Sequence, residues 1–209
     1  MIQKKCKICR RNAQKLFLKG DRCSSPKCAL VKHPFPPGPP KKRRASNFSE
    51  YAKELKEKQK LQKHYGLREK QFGNYVKNVL AMRGQVADAT LLLIAQLESR
   101  LDNVIFKLGL AKSRKSARQL VSHSYFWVNG KPVKAPSFQV KKGMTISVKP
   151  TKINKAFIKN IEPILKNYQV PDWLKLDKDK LEAKVVSEPL TQDSASMVDI
   201  SSIFEFYSR

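Results

Sequence analysis

From Ser49 onward the apolar and aromatic positions recur at intervals of three and four residues, the spacing that gathers side chains on one face of a helix. Tyr51, Leu55, Lys58, Gln62 and Tyr65 form a first stripe, with Glu54 and Lys58 at i and i+4, and Gly66 is placed to end the helix in a left-handed turn. Phe72, Tyr75, Val76, Val79 and Leu80 form a second stripe, with Gly84 as its stop. A third pattern begins near Asp88, a good N-cap residue, and runs through Leu91, Ile94, Leu97, Leu101, Val104, Ile105 and Leu108 to Gly109, which predicts one continuous helix. Stripes of this kind build cores, so a helical body is expected here.

After Gly109 the pattern shortens. Ser113 caps a short helix in which Ala117, Leu120 and Val121 face inward while Arg114, Lys115 and Arg118 face out. Phe126-Trp127-Val128, the turn Asn129-Gly130 and Val133 predict a hairpin, and Pro132, which has no N–H to give a ladder, confines its strand to an edge. Val140, a turn at Lys142-Gly143 and the run Met144 to Val148 predict a second hairpin, with Met144, Ile146 and Val148 on one face. Phe157, Ile158 and Ile161 suggest a short helix that Pro163 kinks or ends. From Trp173 only strand-like scraps remain. The predicted fold class is α+β, a basic helical corner beside a small antiparallel sheet.

Before Ser49 burial cannot organise the chain. Between Met1 and Arg44 the larger apolar side chains are Ile2, Ile8, Leu16, Phe17, Leu18, Leu30, Val31 and Phe35, set against 14 Lys and Arg. All four cysteines lie in this stretch, as Cys6-x2-Cys9 and Cys23-x4-Cys28 separated by thirteen residues. Two chelating pairs with a loop long enough to fold back suit tetrahedral zinc, and four protein ligands leave no open position, so the expected Zn2+ is structural. Lys5, Lys7, Arg10, Arg11, Arg22 and Lys27 flank the thiols and favour the thiolate form. A pair of disulfides suits a secreted chain, and unpaired structural thiols normally sit in apolar surroundings, so neither fits as well; His33 reads as a polar loop residue. Next come five prolines within residues 34–40 and the cluster Lys41-Lys42-Arg43-Arg44, a polyproline-like segment carrying charge along a surface.

Charge then names the class of partner. The 43 Lys and Arg against 17 Asp and Glu give a formal charge of +26, which opposes compaction unless a polyanion is near. Residues 1–155 hold 36 of the cations and 8 of the acids, while residues 156–209 hold 7 and 9, so the polyanion belongs to the first three quarters and the tail is expected to pack on protein. No membrane partner is expected, because the longest apolar run, Ala89 to Ala95, falls far short of the ~20 residues of a span. The start of the chain has no apolar signal core, which predicts a cytoplasmic protein.

The cysteine segment "CKICRRNAQKLFLKGDRCSSPKC", together with "LREKQFGNYVKN", "LESRLDNVIFKLGLAKSRKSARQLVSH", "VNGKPV", "WLKLD" and "FEFYSR", closely resembles the bacterial-type small-subunit ribosomal protein S-four family, in its four-cysteine, zinc-binding branch. The resemblance implies a structural constituent of the small ribosomal subunit that binds a multi-helix junction in the 5′ domain of small-subunit rRNA early in assembly. It also implies a place in the ribosome beside neighbouring small-subunit ribosomal proteins, lining the mRNA entry channel, with Lys41 to Arg44 near that surface. The domains it implies are a zinc-binding basic arm over 1–45, a helical domain over 46–97 completed by about 190–209, and an inserted RNA-binding α+β module over 98–189. Two stretches depart from the family pattern: Ser124-Tyr125-Phe126-Trp127 puts two extra aromatics before "VNG", and 187–202 is poorly matched.

The expected RNA-contacting residues are Arg10, Arg11, Lys41, Lys42, Arg43, Arg44, Lys58, Lys60, Arg68, Lys70, Arg100, Ser113, Arg114, Lys115, Arg118, Gln119 and His123. Double-stranded RNA hides its bases in a deep, narrow groove, so a fixed array of guanidinium and ammonium groups reading phosphate spacing is the suitable chemistry. Arg100-Leu101-Asp102 matches the catalytic string of pseudouridine synthases, which carry RNA-binding modules of this type. Asp102 falls within a periodic helix, however, and too little chain remains for a catalytic domain, so no enzyme is expected. A DNA-binding zinc-finger regulator is the other rival, allowed by the helical corner around Ser113.

Overall fold

A computed structural model of the 209-residue chain describes residues 5–39, 49–84, 88–161, 163, 165, 168–178, 180–189 and 198–208. The Lys41 to Arg44 cluster lies outside the described residues. The chain divides into two compact units, one formed by Met1–Leu93 with Gln192–Arg209 and the other by Ile94–Thr191.

In the first unit, three short helices, α1 (Lys5–Asn12), α2 (Asp21–Ser24) and α3 (Ala29–Lys32), carry the cysteines, and α1 packs on α3. Among the described residues of this arm the buried apolar side chains are Leu16 and three cysteines, Cys9, Cys23 and Cys28. Helix α4 (Glu50–Tyr65) starts where Ser49 accepts a hydrogen bond from the Ala52 N–H and ends at Gly66, whose φ of 66° supplies the left-handed cap. Its buried face is Glu54, Lys58, Leu61, Gln62, His64 and Tyr65; the apolar stripe read from the sequence is shifted, and Tyr51 is exposed with its ring against Phe206. Helix α5 (Glu69–Ala81) buries Phe72, Val76 and Val79 as expected.

The predicted helix from Asp88 to Gly109 is two helices, α6 (Ala89–Glu98) and α7 (Leu101–Lys107). Asp88 does cap the first, its Oδ1 accepting from the Thr90 N–H at 2.8 Å. The break comes from residues nearly forty positions away. Arg100 takes an extended conformation (ψ 135°) and bridges to Gln139, the Val140 N–H bonds the Ser99 carbonyl at 2.8 Å, and the Leu101 and Asp102 N–H groups bond the Phe138 and Pro136 carbonyls at 2.8 and 3.2 Å. Donors that a new helix start leaves without a partner are thereby satisfied.

In the second unit, α7 and α8 (Arg114–Ser122) pack together over a five-stranded antiparallel sheet of order β2-β1-β3-β5-β4. Its strands are β1 (Phe126–Val128), β2 (Lys131–Pro132), β3 (Thr145–Val148), β4 (Leu174–Asp177) and β5 (Glu182–Val185). The first hairpin and the edge position of Pro132 are as the sequence predicts. The second predicted hairpin does not form: Val140 lies outside the strands, β3 pairs with β1 and β5, and after the Lys142-Gly143 turn the Gly143 N–H bonds the Val185 carbonyl at 2.9 Å. Leu101, Val104, Ile105, Leu108, Ala117, Val121, Phe126, Ile146 and Ala183 belong to one buried cluster, joined by Trp173. Trp173 and Leu174 therefore belong to this core and to none of the tail. Two short helices, α9 (Pro150–Ile153) and α10 (Ala156–Lys159), follow β3, the second ending before Pro163.

The C-terminal helix α11 (Ile200–Ser208) returns to the first unit, packs on α4 and α5, and buries Ile203 and Phe204. No helix among the described residues is long and apolar enough to cross a membrane.

Candidate nucleic-acid interface

The structure sorts the candidate cations into those turned inward and those left on the surface. Lys58 is buried: its Nζ donates to Glu69 Oε1 at 2.6 Å and stands 4.2 Å from the centre of the Phe206 ring. Arg100 is fully buried, its Nη2 2.7 Å and Nε 3.1 Å from the two carboxylate oxygens of Asp102. Arg100–Asp102 is an interior ion pair, whereas Lys58 is a buried cation paired with a carboxylate that is itself exposed; both cations are turned away from the surface. The Arg100-Leu101-Asp102 string is thus a structural element, with its carboxylate committed to the guanidinium. Lys60 is half-buried and pairs with Glu57 at 3.4 Å, and Arg10 is tied within the arm, its Nε donating to the Phe35 carbonyl at 2.8 Å.

Helix α8 presents the exposed set. Its amphipathic pattern buries Ala117, Leu120 and Val121, which forces Lys115, Gln119 and His123 onto one outer stripe at four-residue intervals, with Arg118 half-buried beside it. The Ser113 hydroxyl is already engaged, accepting from the Ser116 N–H at 3.3 Å, so it fixes the helix start. Arg114 departs from the sequence expectation. Its guanidinium lies 4.6 Å from the Phe106 ring centre and its Nε donates to Asn103 Oδ1 at 2.7 Å. Asn103 in turn donates to the Glu98 carboxylate at 2.7 Å, and Lys107 stands 3.9 Å from the same carboxylate. This network locks α8 against α7 and so gives the outer stripe a fixed position.

In the first unit Arg11, Arg68 and Lys70 are exposed. Arg11 and Arg68 line a cleft of about 780 Å³ together with Lys7 and Lys63, two cations not among the expected RNA contacts. A signal for them existed: Lys7 and Arg11 are i and i+4 on α1, and Gln59 and Lys63 are i and i+4 on α4.

Cys9, Cys23 and Cys28 are buried and Cys6 is half-buried. The Lys19 N–H points at Cys23 Sγ at 3.3 Å, and the Leu16 backbone donates to Cys9. Burial pushes the Cys9 thiol up; the Leu16 N–H opposes this, and Cys23, Cys6 and Cys28 raise it further. Four sulfurs sharing one small basic arm, with N–H groups on two of them, are a donor set whose chemistry fits a thiophilic cation. Among the described residues no group of three or more His, Cys, Asp or Glu side chains is drawn together to hold a metal.

Residues 1–96 match the model of the ribosomal protein S4/S9 N-terminal domain, and residues 99–146 match that of the S4 domain. The chain is 43% identical over 204 residues to the small ribosomal subunit protein uS4 of Thermus thermophilus, covering 98% of this chain and 96% of the relative. It is 41% identical over 205 residues to uS4 of Solidesulfovibrio magneticus (98% and 97% covered) and 43% over 204 residues to uS4A of Bdellovibrio bacteriovorus (98% and 96%).

Proposed function

The chain belongs to the small ribosomal subunit protein uS4 family, and from that premise we propose that it is a non-enzymatic structural constituent of the small subunit of the cytoplasmic ribosome, bound directly to small-subunit rRNA. The observation that carries the RNA reading is the outer stripe of α8, cationic and hydrogen-bonding, held rigid by Arg114 while the apolar face of the same helix is spent on the core. A rigid array can match phosphate spacing at a folded junction, where mobile cations would bind any polyanion alike. In this reading the protein is a primary binder of a junction in the 5′ domain and a nucleus for assembly, touches neighbouring small-subunit proteins, and lines the mRNA entry channel through Lys41 to Arg44.

A chemical footprint of the purified chain on naked small-subunit rRNA tests it. Protection confined to one junction is expected. Diffuse protection, or duplex DNA competing at fixed salt as strongly as the junction, overturns specific RNA recognition and favours the DNA-binding rival. Pseudouridine appearing in the incubated RNA overturns the non-enzymatic role.

The same reading places one structural Zn2+ on Cys6, Cys9, Cys23 and Cys28. Burial of three thiols in an arm where the other buried apolar side chain, among the described residues, is Leu16 supports it, since zinc–thiolate binding contributes on the order of 10 kcal/mol to small domains. Purified reduced protein is expected to carry one zinc, and chelation or Cys9→Ser to open residues 1–45 to protease. An arm equally resistant with and without chelator overturns the metal assignment.

A further inference from the structure

Helix α7 ends in a turn whose shape depends on one glycine. The Gly109 N–H bonds the Phe106 carbonyl at 3.1 Å and the Leu110 N–H bonds the Ile105 carbonyl at 3.2 Å, the paired bonds of a left-handed helix stop, and Gly109 has φ 77°. This turn leads the chain into α8 and so sets the direction of its outer stripe. Conformation is only half of what the position demands. A Cβ at Gly109 would stand 2.9 and 3.0 Å from Cδ1 and Cγ of the Tyr168 ring and 3.1 Å from Leu165 Cδ2, nearer than side-chain carbons approach one another. The Tyr168 ring is thus seated on the backbone of the turn, in space that any side chain at 109 would fill.

The same side chain reaches Arg114, the residue that locks α8 on α7. Burial pushes the Tyr168 hydroxyl up and the charge of the Arg114 guanidinium opposes it, so the phenol stands within electrostatic reach of that guanidinium. Arg114 therefore has neighbours from two parts of the chain: Phe106 and Asn103 of α7, and Tyr168. Leu165 and Tyr168 belong to the connection between α10 and β4, beyond the residues 99–146 that match the S4 domain. We propose that Tyr168 is a positioning residue for RNA recognition: its ring, seated on Gly109, straps the α7–α8 corner and fixes the direction in which Lys115, Gln119 and His123 face the RNA. Such a strap matters for a folded junction, whose phosphates lie at set separations, and matters little for a plain duplex, where charge alone suffices. The proposal rests on the RNA-binding reading above and deepens it, since α8 supplies the contacts and Tyr168 their placement.

The test compares the affinity of the full-length chain for a naked 5′-domain rRNA transcript and for an unrelated RNA duplex. Tyr168→Ala is expected to lower the preference for the transcript by ~2–30-fold, the range for changes that act through a coupled neighbour. Affinity for the duplex and its salt slope should hold, because every cation of α8 is still present. A fall in thermal midpoint with the preference of the folded molecules unchanged makes Tyr168 a packing residue only and overturns the proposal. Tyr168→Phe keeps the ring on Gly109 and should restore the preference. Gly109→Ala, whose methyl group would face the ring, should cause the same loss, and in the double variant the two losses should not add, since both undo one contact. Additive losses, or a loss confined to Tyr168→Ala and Tyr168→Phe, make the side chain a direct RNA contact and overturn the positioning role. If Tyr168→Ala does not fold, Tyr168→Leu carries the same comparison. Lys115→Ala separates the two readings: a flattened salt slope there, with the preference unchanged in Tyr168→Ala, sinks this proposal alone, whereas no change in either variant removes the RNA reading with it.

Discussion

Arg114 and Lys115 are adjacent cations with different tasks. Arg114 spends its guanidinium on Asn103 and the Phe106 ring, while Lys115 is exposed on the outer stripe. Lysine cannot reproduce a planar donor stacked on an aromatic face, so Arg114→Lys is expected to lower the stability of the second unit by about 1–2 kcal/mol in urea denaturation. Lys115→Ala should leave that stability unchanged and flatten the salt dependence of RNA binding by ~0.7–0.9. The buried pair gives a larger effect. Arg100→Met strands the Asp102 carboxylate in the interior and should cost ~3–5 kcal/mol, read as a fall in the urea midpoint. None of this was legible from charge alone. A basic residue's letter gives its sign, but whether it faces water depends on partners such as Asp102, two positions away, or Glu69 and Phe206, which only folding brings to Lys58.

At the scale of elements, helix starts and stops were readable and their continuity was not. Ser49, Gly66, Asp88 and Ser113 act through their own side chains or backbone freedom, so their signals are local. The break at Ser99–Arg100 is imposed by residues 136–140, and β4 and β5 owe their place to β3. Periodicity cannot carry such long-range instructions. The clasp of α11 on α4 and α5 is of the same kind, and it is sensitive to pH. Burial pushes the Glu69 carboxyl up, but hydrogen bonds from Lys58 and Tyr207 and the charges of Lys58 and Lys63 outweigh it and hold the pKa below the usual 4.5. A depressed folded pKa means that its stabilisation is fully present above the unfolded value and is lost as pH falls through the folded one. Acidification from pH 5 should therefore loosen α11. Tyr207, raised by burial and by its bond to Glu69, keeps its hydroxyl proton well above the usual range, so this contact should weaken at the alkaline end only beyond pH 10. Glu69→Gln should flatten the acid response of amide exchange in 200–208; an unchanged response would place the acid sensitivity elsewhere.

For the whole molecule, the units respond differently to removal of the end of the chain. Deletion of residues 190–209 removes Ile203 and Phe204, each worth ~1.5–3 kcal/mol of burial, and should open α4 and α5 to protease. Emission from Trp127 and Trp173, which both lie in the second unit, should remain native; a red shift would show that this unit also needs the tail. A cut after Trp173 would instead take β4 and β5 out of the sheet. The same return of α11 also sets an order in time. Synthesis runs from the N-terminal side, so residues 94–191 of the second unit have been made before α11 exists. The roughly 100 residues between Leu93 and Ile200 take ~5–20 s to polymerise at ~5–20 residues per second, and for that interval the face that Ile203 and Phe204 will cover is bare. A nascent chain of this protein thus finishes its middle before its beginning, and the face awaiting α11 is where a nascent-chain chaperone would be expected to hold it.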